Sequence, residues 1–386
     1  MQIITTTDAL EALCRKLSAD EFITVDTEFM REHTFWPILC LIQVAGESEE
    51  AIIDPMANGL DLAAFYELMA NNNVLKVFHA ARQDIEIFVA ASGHAPRPIF
   101  DTQVAAMVCG FGDQVGYEAL VRKLAGEQVD KSSRFTDWSR RPLSDKQLRY
   151  ALSDVTHLRV VYEKLKASLA SNGRASWLSE EMAIISSSDT YKSHPEDAWK
   201  RLKFRPRNPR QLGITIAVAQ WREERAQTKN MPRQRIIKDD AIGELAQQAP
   251  RDKAALSKLR ALPKGLAEGG LGDEILQAVR RGMEMNDDDL PRLAPPKGPQ
   301  PEGASAIADV LKLGLKVVAE RENIAPRLIA NASDLEEMAG NGGEDLAMMH
   351  GWRRELFGDI AVGLKQGKLM IGIRDGKPDI IETPPS

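Results

Sequence analysis

The sequence has little of what would make a chain secreted, membrane-bound or stapled by metal. Only three cysteines, Cys14, Cys40 and Cys109, occur in 386 residues, and none are spaced as a zinc site or disulfide framework would require. Such usage fits reduced thiols in a cytoplasmic protein. No apolar run approaches the roughly 18 residues that span a membrane. The opening Met1-Gln2-Ile3-Ile4-Thr5 has neither the basic nor the apolar region of a secretory signal. A cytoplasmic protein without membrane contact is expected. There is no Gly-x-x-x-x-Gly-Lys phosphate loop, so nucleoside triphosphate hydrolysis has no support. A basic excess is also missing, since 50 Lys and Arg stand against 56 Asp and Glu, a net charge of −6. That excludes a surface coated in positive charge and leaves room for a local basic groove.

What is present is ordinary for a soluble globular protein, with 43% hydrophobic and 27% charged residues. The length exceeds a single hydrophobic core, so two or three domains are expected. The first part alternates strand and helix patterns. Phe22 to Phe29, Leu39 to Val44, Ala51 to Ile53 and Leu75 to Phe78 read as strands, Leu60 to Met69 and Gln83 to Ala91 as helices. This interleaving indicates an α/β domain with a mixed sheet. A long helix follows from Ser144 to about Leu169, opened by the capping-box pair Ser144 and Gln147 and carrying the stripe Leu148, Leu152, Val155, Leu158, Tyr162. Beyond a polar connector, Ser186 to Arg210, only helical patterns are found, broken by the proline-rich stretch Asn286 to Gly303. The two helical segments resemble each other. Asn230-Met231-Pro232-Arg233 matches Asn323-Ile324-Ala325-Pro326-Arg327, and Ile275 to Gly282 matches Ile360 to Gly367 in the same order, as a duplicated module of roughly 80 residues would.

Chemistry is carried by carboxylates. Asp26 and Glu28 sit two apart on a strand, so both leave the same face. Two acids there repel and lose hydration, a cost that a divalent cation offsets; a solvent-facing pair is the bland alternative. Asp84 opens a helix just after a strand, where helix capping is a sufficient structural reason for it. Tyr150 and Asp154, four apart on the long helix, share one face and can meet in one pocket. Each part is weak alone, and together on strand, helix and helix they are specific.

With these motifs the first 170 residues resemble the exonuclease domain of the DEDD superfamily in its tyrosine-bearing branch, and the whole chain resembles the ribonuclease D family. The resemblance implies an α/β exonuclease domain with a ribonuclease H-like mixed sheet flanked by helices (1–170) and a connector (171–209). Two all-α domains similar to HRDC, the helical module of RecQ-type helicases, then follow (210–288 and 304–386), separated by a Pro-rich linker (289–303). It implies two divalent cations, Mg²⁺ or Mn²⁺, suited to hard oxygen ligands. Asp26 would bridge them, Glu28 and Asp154 would complete the site that activates water, and Asp84 would serve the other ion. Tyr150 would orient the water. Thr27 and Phe29, beside the acids, and Gln43 and His79 are the candidate substrate contacts. Between Trp199 and Lys238, twelve basic residues face two glutamates and are interleaved with Trp199, Phe204 and Trp221, a pattern that suits phosphate contact and base stacking as well as a solvated helix surface. The implied activity is 3′→5′ trimming of structured RNA such as tRNA precursors from a single-stranded 3′ end, releasing 5′-mononucleotides, by a monomer. A proofreading-like DNA exonuclease and a binding adaptor with a silent nuclease fold are the alternatives. Residues 1 to about 185 hold every implied ligand and are expected to carry the chemistry alone if their core folds alone.

Overall fold

Alternation along two neighbouring strands decides the layering of the catalytic part. A computed structural model of the chain describes residues 1–130, 133, 136–292, 301–340, 342–343 and 345–384. Its elements begin β1 (Gln2–Ile4), α1 (Thr7–Leu17), β2 (Phe22–Met30), β3 (Ile38–Ala45), β4 (Glu50–Ile53), α2 (Ala63–Ala70), β5 (Leu75–Phe78) and α3 (Arg82–Ser92). They continue with β6 (Ile99–Asp101), α4 (Thr102–Val108), α5 (Tyr117–Leu124), α6 (Asp145–Asn172) and α7 (Ala175–Ile185). The six strands form one mixed sheet in the order β1-β4-β3-β2-β5-β6, with β3 antiparallel to both neighbours and the remaining pairs parallel. Ile23, Val25, Ile42 and Val44 point to one side, into a core with Leu10, Phe65, Ile85 and Phe88. Leu41, Ala45 and Ile52 point to the other, against Leu148, Ala151, Leu152 and Val155 of α6. Helix α6 starts where expected: Ser144 and Gln147 form the reciprocal capping box.

The first helical module comprises α8 (Pro209–Thr228), α9 (Arg233–Ile236), α10 (Asp239–Gln248), α11 (Lys253–Leu256) and α12 (Gly270–Glu284). Helices α8 and α12 touch backbone to backbone at Gly213 and Gly282, where a Cβ on either would strike the other's carbonyl. The second module repeats the order: α13 (Ala304–Glu322), α14 (Pro326–Ile329), α15 (Ala332–Ala339), then α16 (Gly351–Arg353), a π-helical turn (Arg354–Gly358) and α17 (Asp359–Lys365). The matched asparagines share a conformation too, with φ +46 at Asn230 and +49 at Asn323, in the left-handed region that Asn tolerates.

Three expectations change. The second module is not all helix: β7 (Leu369–Arg374) and β8 (Lys377–Glu382) form a hairpin, turned by Asp375 and Gly376, both at positive φ as a two-residue hairpin turn demands. The segment expected as connector, 171–209, holds α7 and two short 3₁₀ stretches, and Ala198 and Leu202 are buried in the first module's core. Residues 293–300 of the expected linker lie outside the described residues. Much of the basic stretch is spent on internal pairs. Arg222 is buried against Asp239, Arg201 and Arg233 grip the buried Glu223, and Arg225 and the Trp221 indole both hold Glu274. Lys203, Arg207, Arg210, Lys229 and Lys238 stay outside these networks.

The modules dock differently. Phe35, in the β2–β3 loop, is 7% exposed and belongs to the first module's core. The second module shares one continuous core with the exonuclease domain: Leu311, Leu315, Leu328 and Trp352 join Met107, Leu178 and Met182. Trp177 stacks on Trp352 at 4.5 Å. The catalytic part therefore does not own a complete core. Removing residues 304–386 should uncover the apolar sides of α4 and α7, giving an aggregating protein that binds hydrophobic dyes. A soluble shortened protein melting cooperatively at the full-length temperature would contradict this.

Candidate active site

Strand β2 outlasts its neighbour. β5 pairs only with Phe22–Thr24, so Asp26 to Met30 run on past it. A tight turn leads from β5 into α3. Ala80 adopts φ +58, a region L-residues seldom occupy, and the Asp101 carboxylate holds that turn by accepting from Ala80 N at 3.0 Å and Ala81 N at 2.9 Å. The first turn of α3 thereby brings Asp84 beside β2, where the Thr27 hydroxyl donates to its Oδ1.

On the α6 side of β2 the expected constellation assembles. Carboxylate oxygens of Asp26, Glu28 and Asp154 lie within 4.8 Å of one another. Asp84 is outside that trio, 7% exposed, yet close enough for Asp26 to act on its charge. Burial is the first cause in raising these groups, and repulsion from a neighbouring acid is the second for Asp26, Glu28 and Asp84. Asp26 is pushed up to about 8 by burial and by Asp154, and Glu28 to about 9 by burial, then Asp26, Asp154 and Asp84. Burial lifts Asp154 to about 7, and burial with Asp26 holds Asp84 well above the usual carboxylate range. Asp154 Oδ1 is buried without a hydrogen-bond partner. Oxygen donors only, converging and short of positive charge, fit a hard divalent cation.

Tyr150 lies beside Asp154 as its spacing implied. Burial and the neighbouring carboxylates raise its phenol, so it stays protonated and acts as a donor rather than a base. Trp138, 2% exposed, stacks against it with ring centroids 6.2 Å apart. A cavity of about 310 Å³ opens over the cluster, lined among others by Asp26, Tyr150, Asp154, His79, Tyr117 and Glu118.

The four candidate substrate contacts separate. His79 lines the cavity, its Nδ1 3.0 Å from the Thr102 hydroxyl. Thr27 is committed to Asp84. Gln43 stands opposite Asp26 on the neighbouring strand and faces the same side, but it is fully buried, neither amide atom has a partner, and it is not among the cavity residues. Phe29, half-buried past a bulge in β2, is not among the cavity residues. Sequence reasoning missed Tyr117, whose hydroxyl donates to the Asp154 carbonyl at 2.5 Å, and Trp138 and Asp101. Gly116-Tyr117, a helix start near the acids only in space, offered no local signal.

Residues 1–170 match the 3′–5′ exonuclease family and residues 211–279 the HRDC domain. The ribonuclease D of Nitrobacter hamburgensis is 48% identical over 377 residues, 98% of each chain. This chain belongs to the ribonuclease D family. A second relative, the ribonuclease D of Acidiphilium cryptum, is 48% identical over 384 residues, 99% of this chain and 97% of the other. The solved structure of Escherichia coli RNase D, an exoribonuclease involved in structured RNA processing, is similar with a TM-score of 0.82 at 27% identity, covering 95% of this chain and 98% of that one. The activity is accordingly that of a metal-dependent 3′→5′ exoribonuclease acting on RNA, and the DNA-directed alternative is not favoured. No helix among the described residues is long and apolar enough to cross a membrane.

A pH dependence follows from the raised carboxyls. Unfolded, they titrate near ~4; folded and metal-free, they hold protons up to about 7 to 9. Between those limits the folded state binds more protons, so stability falls as pH rises. The metal-free protein should melt at a lower temperature at pH 9 than at pH 5. Asp26→Asn should flatten that slope and raise the melting temperature at pH 8. A melting temperature that climbs from pH 5 to 9, or an Asp26→Asn variant less stable than wild type at pH 8, would show that repulsion is not stored there.

Proposed function

We propose that this ribonuclease D trims the single-stranded 3′ ends of structured RNA precursors such as tRNA, releasing 5′-mononucleotides, with two divalent cations, Mg²⁺ or Mn²⁺. Asp26, Glu28 and Asp154 hold them, and Asp84 completes the set from α3. The observation that carries this reading is the convergence of three acids within 4.8 Å under a cavity of about 310 Å³. That space is of small-molecule size, suited to a terminal nucleotide and too small for a duplex. When bound, such ions supply the positive charge that activates water and relieves the departing 3′ oxygen.

The chain's own groups do the rest. Tyr150 keeps its proton and orients the attacking water by hydrogen bonding beside Asp154. Trp138 behind it restricts the ring. The Thr27 hydroxyl fixes the Asp84 carboxylate. His79 and the Tyr117 ring, 5.4 Å apart, wall the place of the terminal nucleotide. Gln43 packs beside Asp26 on the neighbouring strand, and Phe29 flanks the acids on β2. Lys203, Arg207, Arg210, Lys229 and Lys238, outside the networks named above, serve the RNA body. The protein works as a cytoplasmic monomer, consistent with three buried free thiols and with module faces already covered within one chain.

Tyr150→Phe should lower kcat more than tenfold with little change in KM, because a contact made mainly in the transition state is lost. An unchanged kcat with a raised KM would instead place the Tyr150 hydroxyl on the bound substrate. Ion binding itself is checked by melting. A ligand bound only to the folded state adds RT ln(1 + [L]/Kd), roughly 2.7 kcal/mol at a hundredfold excess. Mg²⁺ should therefore raise the melting temperature of wild type more than that of Asp154→Ala, and equal shifts would place the ions elsewhere.

A further inference from the structure

The turn repeated in both helical modules touches the exonuclease domain in each. Asn230 Oδ1 accepts from Phe35 N and Trp36 N at 3.1 and 3.0 Å. Asn323, its counterpart, lays its side chain on Gly110, where any Cβ would collide with it. Two residues on, Ala325 N donates to the Met107 carbonyl at 3.0 Å, and Arg327 N reaches Asp113 Oδ1 at 3.4 Å. Arg174 locks the corner from α7's side, its Nη2 donating to the Glu322 carbonyl at 2.7 Å. The second corner thus grips the chain from Met107 to Asp113.

That stretch leads within five residues to Gly116, Tyr117 and Glu118, which wall the catalytic cavity. Tyr117 then reaches α6, donating to the carbonyls of Asp154 at 2.5 Å and Ser153 at 3.3 Å. We propose that the Asn323–Arg327 corner of the second helical module is a positioning element for the catalytic cleft, holding the α4–α5 loop and, through Tyr117, the turn of α6 that bears Asp154. The inference rests on the reading of Asp154 as a metal ligand. It gives the second module a duty in turnover besides any in RNA binding.

Asn323→Gly tests it, because glycine keeps the positive φ without strain while deleting the side chain that rests on Gly110. Asn323→Asp retains shape and conformation. In the full-length, metal-free protein, amide exchange at residues 108–118 should quicken about tenfold in Asn323→Gly and stay near wild type in Asn323→Asp. On a short unstructured RNA, kcat should fall severalfold in the glycine variant with KM little changed, and the aspartate variant should recover it. The Mg²⁺-induced rise in melting temperature should persist in both. Unchanged exchange and kcat in Asn323→Gly, with only a lower melting temperature, would overturn the proposal and leave the corner as packing. If wild type itself showed no Mg²⁺-induced rise, the metal-ligand reading would fail, while exchange at 108–118 would still decide whether the corner holds the loop.

Discussion

Like charges held together at a half-buried strand end are the condition to which the rest of this structure answers. Two unit charges about 4 Å apart repel by about 4 kcal/mol at an effective dielectric near 20, and here Asp26, Glu28 and Asp154 converge with Asp84 behind them. Without cations the groups keep protons, first because they are buried and then, for Asp26, Glu28 and Asp84, because a neighbouring acid repels a second charge, so all four are shifted upward. On the proposed reading, the same geometry becomes a ligand set when cations bind. The fold keeps the acids close against their tendency to separate. The sheet fixes Asp26 and Glu28, the capped and densely packed α6 fixes Asp154, and the Asp101-clamped turn fixes Asp84.

The two helical modules come from one pattern and serve the catalytic domain unequally. The first receives Phe35, with Trp36 packed beside it, from the loop that continues β2. The second merges its core with α4 and α7. A catalytic domain that borrows core from its C-terminal neighbour cannot be separated from it in the way that ligand positions alone suggested. The same merger brings the neighbour's turn against the loop that walls the cleft.

Legibility followed locality. Asp26 with Glu28 and Tyr150 with Asp154 were readable because strand and helix periods place them on one face, and the capping box marked the start of α6 within four residues. Family resemblance supplied the link between these pieces and Asp84, since no periodicity connects a strand to a helix 56 residues later. Contacts set by tertiary packing were silent. Tyr117 meets Asp154 across 37 residues, and Arg225 spends its charge on Glu274 across 49, so the basic stretch looked more available than it is. The β7–β8 hairpin did have a signal, Asp375-Gly376 between apolar alternations. The match of the preceding helix to its twin in the first module carried the helical reading past it.

On the proposed metal reading, protons and cations compete for one set of carboxylates. Calorimetric titration of the metal-free, full-length protein with Mg²⁺ at pH 7, in two buffers of different ionisation enthalpy, measures that competition directly. Glu28 and Asp26, raised to about 9 and 8, hold protons at this pH. Binding should release at least one proton per protein, and the release should diminish in Asp26→Asn. Tight Mg²⁺ binding with no proton release at pH 7 would contradict the account.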